Sequence, residues 1–106
     1  GIKPGEIGSA VIDGHVDTPT GQPSVFSDIK RLKEGDTIVI KSALGSEYKF
    51  EVIKSVEYLL TDIPMQEIFR QDINESRLNL ITCSGTWDKE QGMYLSRFVV
   101  YSKRIN

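Results

Sequence analysis

The sequence predicts an all-β domain that carries a few short helices, and three observations support this. The chain has 106 residues, which is room for one domain over residues 1–106. Its composition, with 39% hydrophobic and 26% charged residues, is that of a globular chain and excludes a disordered or fibrous one. Apolar and charged residues alternate strictly in residues 48–52, which is typical of a strand with one buried face.

The first third of the chain predicts a strand, a turn-rich stretch and a short helix. An apolar run at residues 10–12 predicts a buried strand that leads into Asp13, Gly14 and His15. Residues 18–23 contain two prolines and a glycine and predict a turn. The next segment predicts a short helix, with Ser24 as N-cap and an apolar stripe formed by Val25, Phe26, Ile29 and Leu32.

The rest of the chain predicts four further strands. They lie at residues 38–40, from 48 to about 60, at 78–83 and from about 93 to 103. The alternation in the longest of them slips at Ile53, which predicts a bulge or bend of the kind that a curled strand needs. The connection over 61–74 predicts one helical turn at 66–70, and the polar residues 84–92 predict the loop of a hairpin.

Composition also excludes several classes of function. Thirteen basic against fifteen acidic residues give a net charge of −2, without the basic stripe that nucleic-acid binding requires. Cys83 is the only cysteine and His15 the only histidine, so the four Cys or His ligands of a structural zinc site are not available. The longest apolar run, residues 98–101, is far shorter than the roughly 20 residues that span a bilayer. We expect no metal and no cofactor.

Three residues form the candidate site: His15 at a strand exit, Cys83 at a strand end and Arg97 on the following strand. A hairpin with its centre near Asp88 would place Arg97 close to Cys83, offset by one residue pair that the long arginine side chain can cover. We expect the Cys83 strand to be central in the sheet, flanked by the strand that leads to His15 and the strand of Arg97. An imidazole can assist deprotonation of a thiol, and a guanidinium can stabilise an oxyanion. Taken singly, Cys83 also fits a small buried hydrophobe, and Arg97 a surface residue of an edge strand. His15 likewise fits a surface or hydrogen-bonded residue at an ordinary turn from strand to loop.

The motifs around these residues resemble those of the sortases, the cysteine transpeptidases of Gram-positive cell surfaces. The family's strand ending in Gly-His is matched by residues 10–15, and its Thr-Leu-x-Thr-Cys signature by residues 79–83. The later arginine with its β-rich tail is matched by residues 97–101. The Phe-x-x-Leu stretch and Gly-Asp turn are matched by residues 26–32 and 35–36, and details such as Thr-Gly-Gln-Pro favour the class D to F branches.

The resemblance implies a sortase-like β-barrel and a reaction. Cys83 would be the nucleophile, His15 the general acid/base and Arg97 the oxyanion and substrate-positioning residue, with Thr82 and Ile81 lining the substrate site. The enzyme would cleave a Leu-Pro-x-Thr-Gly-like sorting signal at Thr–Gly through a thioester. The acyl group would then pass to an amine, from a peptidoglycan precursor or a pilin lysine.

The resemblance also implies a setting and leaves two alternatives open. The partners would be surface proteins with a C-terminal sorting signal, at the extracellular face of a Gram-positive membrane, with a membrane anchor outside this chain. Only fourteen residues precede His15, so we expect the family's N-terminal barrel strands to be lacking. Asn79 replaces the usual Thr, and Asp13 replaces a usually small residue. The alternatives are a cysteine hydrolase without transfer and a non-catalytic β-barrel binding module.

Overall fold

The computed structural model describes residues 1–14 and 25–106. It contains five strands: β1 (Gly8–Gly14), β2 (Thr37–Lys41), β3 (Glu47–Leu59), β4 (Ser76–Asp88) and β5 (Met93–Arg104). Two 3-10 helices cover Val25–Arg31 and Leu60–Asp62, and a single α-helical turn, α1, covers Met65–Ile68. The predicted all-β class with short helices is therefore confirmed. His15, the 18–23 turn and the Ser24 cap lie outside the described residues.

The five strands form one sheet in the order β1-β4-β5-β3-β2. β1 pairs with β4 in parallel, and the other neighbours are antiparallel. The prediction that the Cys83 strand lies between the strand leading to His15 and the strand of Arg97 is confirmed. The middle position of the sheet, which we expected for the Cys83 strand, belongs to the Arg97 strand β5 instead.

A bulge in β3 decides which of its side chains face the candidate site. The register with β5 shifts between Val52, which pairs with Ser102, and Lys54, which pairs with Tyr101. A slip of one residue turns every later side chain of the strand to the other face of the sheet. The slip that the sequence shows at Ile53 is confirmed. Its consequence is that the even-numbered residues after the bulge share a face with Tyr101 and Arg97.

The two faces of the sheet carry separate apolar clusters. Cluster one is the larger; its buried members are Ala10, Ile29, Phe50, Val52, Leu78, Leu80 and Val100. Cluster two lies on the opposite face; its buried members are Ile68, Val99 and Tyr101. Alternate residues of a strand point to opposite faces, so Ile81 and Cys83 of β4 lie on the side of cluster two. We call this side the site face.

The sheet is curled, so that its two edge strands approach each other over cluster one. Ile12 of β1 and Ile38 of β2 line the same apolar groove of about 330 Å³, although three strands separate them in the sheet. The apolar stripe predicted around the first helix contributes to this packing, since Ile29 is buried in cluster one and Leu32 packs against it. The curvature is that of a half-barrel.

Candidate active site

The β4–β5 hairpin brings Cys83 and Arg97 side by side. The two residues are directly paired across antiparallel strands, and directly opposite residues point to the same face. The expected offset between them is wrong. β4 continues to Asp88, and the turn comes after it, closed by the Gly92 N–H donating to the backbone oxygen of Asp88 at 2.8 Å.

A bulge just after the cysteine allows Cys83 and Arg97 to be directly opposite each other. The pairing shifts between Ser84 and Trp87, so β4 holds one residue more than β5 over this stretch. Gly85 lies in the bulge at φ 78°, and a Cβ there would come within 2.8 Å of the Ser96 hydroxyl. Glycine is the residue that tolerates both the positive φ and this close approach.

The Arg97 guanidinium is held along its own strand. Its Nη1 donates to the backbone oxygen of Ser96 at 2.9 Å and to that of Tyr94 at 3.2 Å, and the side chain is half-buried. The strand is supported near its turn by an edge-to-face contact between Trp87 and Tyr94, with ring centroids 5.0 Å apart. A guanidinium ordered beside a cysteine can hold a carbonyl oxygen that develops negative charge.

The thiol of Cys83 is half-buried and belongs to no disulfide, because the chain has no second cysteine. One row further along the site face lies Ile81, half-buried against cluster two, which makes an apolar floor next to the thiol. Asp13 pairs with Ile81 across β1 and β4, and its side chain is exposed. Within the described part of the chain, the site thus combines a thiol, a cation and an apolar floor edged by a carboxylate.

Thr82 has a structural contact that the sequence did not predict. Its side chain is fully buried on the face opposite Cys83, and its Oγ1 donates to the backbone oxygen of Gly14 at 2.8 Å. Gly14 is the residue that pairs with Thr82 and the last residue of β1. The hydroxyl therefore fixes the end of the strand that leads to His15. The Thr82 side chain points away from the site face, so only the backbone of Thr82 is still predicted to contact a substrate.

The connection from β3 to β4 packs on the site face through α1. Ile68 is fully buried in cluster two, and its backbone oxygen accepts a 2.7 Å hydrogen bond from Nδ2 of buried Asn79. Glu67 accepts a 2.8 Å bond from Lys54 of β3, which raises the pKa of Lys54. Asn79, which replaces the family's usual Thr, thus has a role in packing, because its amide ties the helical turn to β4.

Two tyrosines complete the site face, and neither was singled out from the sequence. Tyr58 pairs with Arg97 across β3 and β5, and its hydroxyl lies 2.9 Å from that of Tyr101. Burial raises the pKa of Tyr101 well above its usual value, and the hydrogen bond with Tyr58 acts in the same direction. The bulge at Ile53 is the one sequence signal that places Tyr58 on this face.

The structure thus brings Cys83, Arg97 and Ile81 together on one face. It ends β1 one residue before His15, whose own position lies outside the described residues. Residues 1–14 and 25–106 contain no group of three His, Cys, Asp or Glu side chains that could hold a metal ion. No helix in the described part of the chain is long and apolar enough to cross a membrane.

Comparison with known proteins gives one family. A sequence model of the sortase domain matches residues 2–105. Sortase A from Corynebacterium diphtheriae superposes with a TM-score of 0.71 at 26% identity, over 92% of this chain and 40% of that one. A Clostridium perfringens sortase D5 transpeptidase gives a TM-score of 0.71 at 27% identity, over 99% of this chain and 57% of that one.

Sortase C from Streptococcus pneumoniae has the same fold, with a TM-score of 0.73 at 24% identity over 96% of this chain and 46% of that one. The chain thus spans between 40% and 57% of the length of these three structures. Their similar TM-scores do not separate one sortase class from another, so the class D to F branch stays a prediction. No curated protein matches the chain.

Proposed function

The chain belongs to the sortase family, and we propose that residues 1–106 act as the catalytic domain of a cysteine transpeptidase. The observation that carries the proposal is the direct pairing of Cys83 with Arg97 on β4 and β5. Beside them, the parallel strand β1 ends at Gly14, and His15 is the next residue of the chain. A nucleophile, an acid/base and an oxyanion partner are the groups that acyl transfer from a peptide bond requires.

In the proposed reaction, the Cys83 thiolate attacks the Thr–Gly carbonyl carbon of a Leu-Pro-x-Thr-Gly-like sorting signal. The carbonyl oxygen takes up negative charge, which the Arg97 guanidinium stabilises by hydrogen bonds. The C–N bond then breaks, His15 donates a proton to the departing glycine amine, and a thioester remains on Cys83. The thioester keeps the acyl group activated for a second attack.

The second half of the reaction decides the product. A primary amine, from a peptidoglycan precursor or a pilin lysine, attacks the thioester carbonyl and gives up a proton to His15, which lost its own proton in the first half. The C–S bond breaks, a new amide forms, and Cys83 and His15 return to their starting states. Ile81 and the backbone at Thr82 would line the groove for the signal peptide. We place the enzyme at the outer face of a Gram-positive membrane, acting on surface proteins that carry such a signal.

Analysis of products tests the proposal against hydrolysis. The protein is incubated with a Leu-Pro-x-Thr-Gly peptide, with and without an added primary amine. The products are separated, and their masses are measured by mass spectrometry. The proposal predicts an amide of the added amine in its presence. Release of the free acid alone, at every amine concentration, would identify a cysteine hydrolase. Absence of cleavage together with a thiol that is inert to alkylating probes would identify a binding module.

A further inference from the structure

The hydrogen-bonded hydroxyls of Tyr58 and Tyr101 lie on the site face, among the apolar side chains of cluster two. One ion pair is close by, because Nζ of Lys54, which is paired with Glu67, lies 4.7 Å from the centroid of the Tyr101 ring. Tyr101 is only 2% exposed, and Tyr58 is half-buried. Both rings belong to cluster two, together with Val56 and Val99. Nothing in the proposed reaction uses these hydroxyls.

The direction of their shared hydrogen bond follows from the burial of Tyr101. Among the described residues, the Tyr58 oxygen is the only partner of the Tyr101 hydroxyl. If Tyr58 were the donor, the proton of Tyr101 would be left buried without an acceptor, which is unfavourable. The favoured arrangement has Tyr101 donating to Tyr58. The proton of the Tyr58 hydroxyl is then free for a third group, on the exposed side of the pair.

The strand register shows where the Tyr58 hydroxyl lies along the site face. Tyr58 shares its row with Arg97 and Cys83, whereas Tyr101 lies four residues further along β5 than Arg97. Because the two hydroxyls lie 2.9 Å apart, the two tyrosine side chains together span the row of the intervening pair Val56 and Val99. In an extended peptide, every second carbonyl points to the same side, at a spacing of about 6.6 Å. If one such carbonyl is held at Cys83 and Arg97, the next one on that side falls about one strand row away, in the direction of the Tyr58 hydroxyl.

We propose that the Tyr58 hydroxyl is a substrate-binding group that donates a hydrogen bond to a backbone carbonyl of the acyl-donor peptide, two residues from the carbonyl held by Arg97. This rests on the proposed function, since it takes the signal peptide as the ligand of the site face. Tyr101 is the packing partner of Tyr58: by donating to the Tyr58 oxygen it satisfies its own buried hydroxyl and leaves the proton of Tyr58 for the peptide. A donor beside the guanidinium would fix the direction in which the peptide crosses the sheet.

The test measures peptide binding without turnover. A Leu-Pro-x-Thr-Gly peptide is titrated into the Cys83→Ala protein and into the same protein carrying Tyr58→Phe, Tyr101→Phe or both. Loss of one neutral hydrogen bond predicts that Tyr58→Phe weakens binding by about three- to tenfold. Tyr101→Phe leaves the donor of Tyr58 in place, so its affinity should stay within about twofold of the background.

Melting temperatures of the same variants separate binding from packing. Tyr58→Phe leaves the buried Tyr101 hydroxyl without a hydrogen-bond partner and should lower the melting temperature. The double variant lacks both hydroxyls, so its melting temperature should return toward that of the background while its peptide binding stays weakened. Full affinity of Tyr58→Phe, or recovery of affinity in the double variant, would overturn the proposal. So would failure of the Cys83→Ala protein to bind the peptide, whereas the proposed function is judged separately by acylation of Cys83 in the unsubstituted protein.

Discussion

Replacing Thr82 by Val tests whether the hydroxyl next to the cysteine serves to hold the end of β1. Valine keeps the branched shape and volume, so the change removes one hydrogen-bond donor from a fully buried position. The 2.8 Å bond from Oγ1 to the Gly14 oxygen is lost. The hydrogen bond is part-buried, and leaving the Gly14 carbonyl without its partner costs about 1–2 kcal/mol. The added methyl group returns part of this, up to about 0.8 kcal/mol.

The net expectation is a loss of about 1 kcal/mol in the free energy of unfolding. For a chain of this size, that is a fall in melting temperature of about 4–8 °C. Thr82→Ser is the matched control, since it keeps the donor and loses only the methyl group. The assay is thermal unfolding by circular dichroism, with peptide cleavage measured on the same samples. We expect Thr82→Val to lose more cleavage activity than its loss of folded protein explains, because Gly14 leads directly into His15.

The result that would refute this reasoning is a Thr82→Val protein as stable and active as the unsubstituted one. A Thr82→Ser protein that loses as much cleavage activity per folded molecule as the Val variant would also refute it, because the effect on activity would then not come from the hydroxyl. In either case, the register of β1 and β4 alone would position the end of β1.

Three further predictions concern the reaction and its pH limits. Cys83→Ala should abolish cleavage and transfer while the melting temperature stays near that of the unsubstituted protein, and residual transfer by the purified variant would exclude the cysteine as nucleophile. Arg97→Lys should lower kcat by roughly 10²–10³-fold on one sorting-signal peptide, since lysine keeps the charge but loses the paired donors. Near-normal turnover would show that Arg97 contributes only its positive charge and not its paired hydrogen bonds. The raised pKa of Tyr101 predicts that folding stability is lost as the pH rises above about 10, where only the unfolded state gives up the proton. Urea unfolding between pH 9 and 11 should show a steeper loss for the unsubstituted protein than for Tyr101→Phe, and equal slopes would contradict the assignment.

Local patterns predicted the strands well, because alternation and turn residues act over a few positions. The apolar runs at residues 10–12 and 38–40 each lie inside a strand, and the slip at Ile53 marks a real bulge. The helical turn was displaced: α1 covers Met65–Ile68 instead of residues 66–70. One turn of helix has too few residues to show a period, so tertiary packing of Ile68 decides where it forms.

The registers between strands could not be predicted from the sequence. The direct pairing of Cys83 with Arg97 depends on a bulge at Gly85, whose effect is visible only when the turn position is known. The contact between Thr82 and Gly14 joins residues 68 positions apart, and that between Tyr58 and Tyr101 joins residues 43 apart. Such contacts depend on the order of strands in the sheet, which sequence patterns over a few residues do not show.

The central claim, that Cys83 forms a thioester with a sorting-signal peptide, is tested most directly by intact-protein mass spectrometry. The protein is mixed with a Leu-Pro-x-Thr-Gly peptide in the absence of added amine, quenched with acid, weighed and then digested. The account predicts a mass increase equal to the peptide's acyl part, located on the segment that contains Cys83 and absent from the Cys83→Ala protein. Cleavage of the peptide without any adduct on that segment, or the same adduct on the Ala variant, would contradict it.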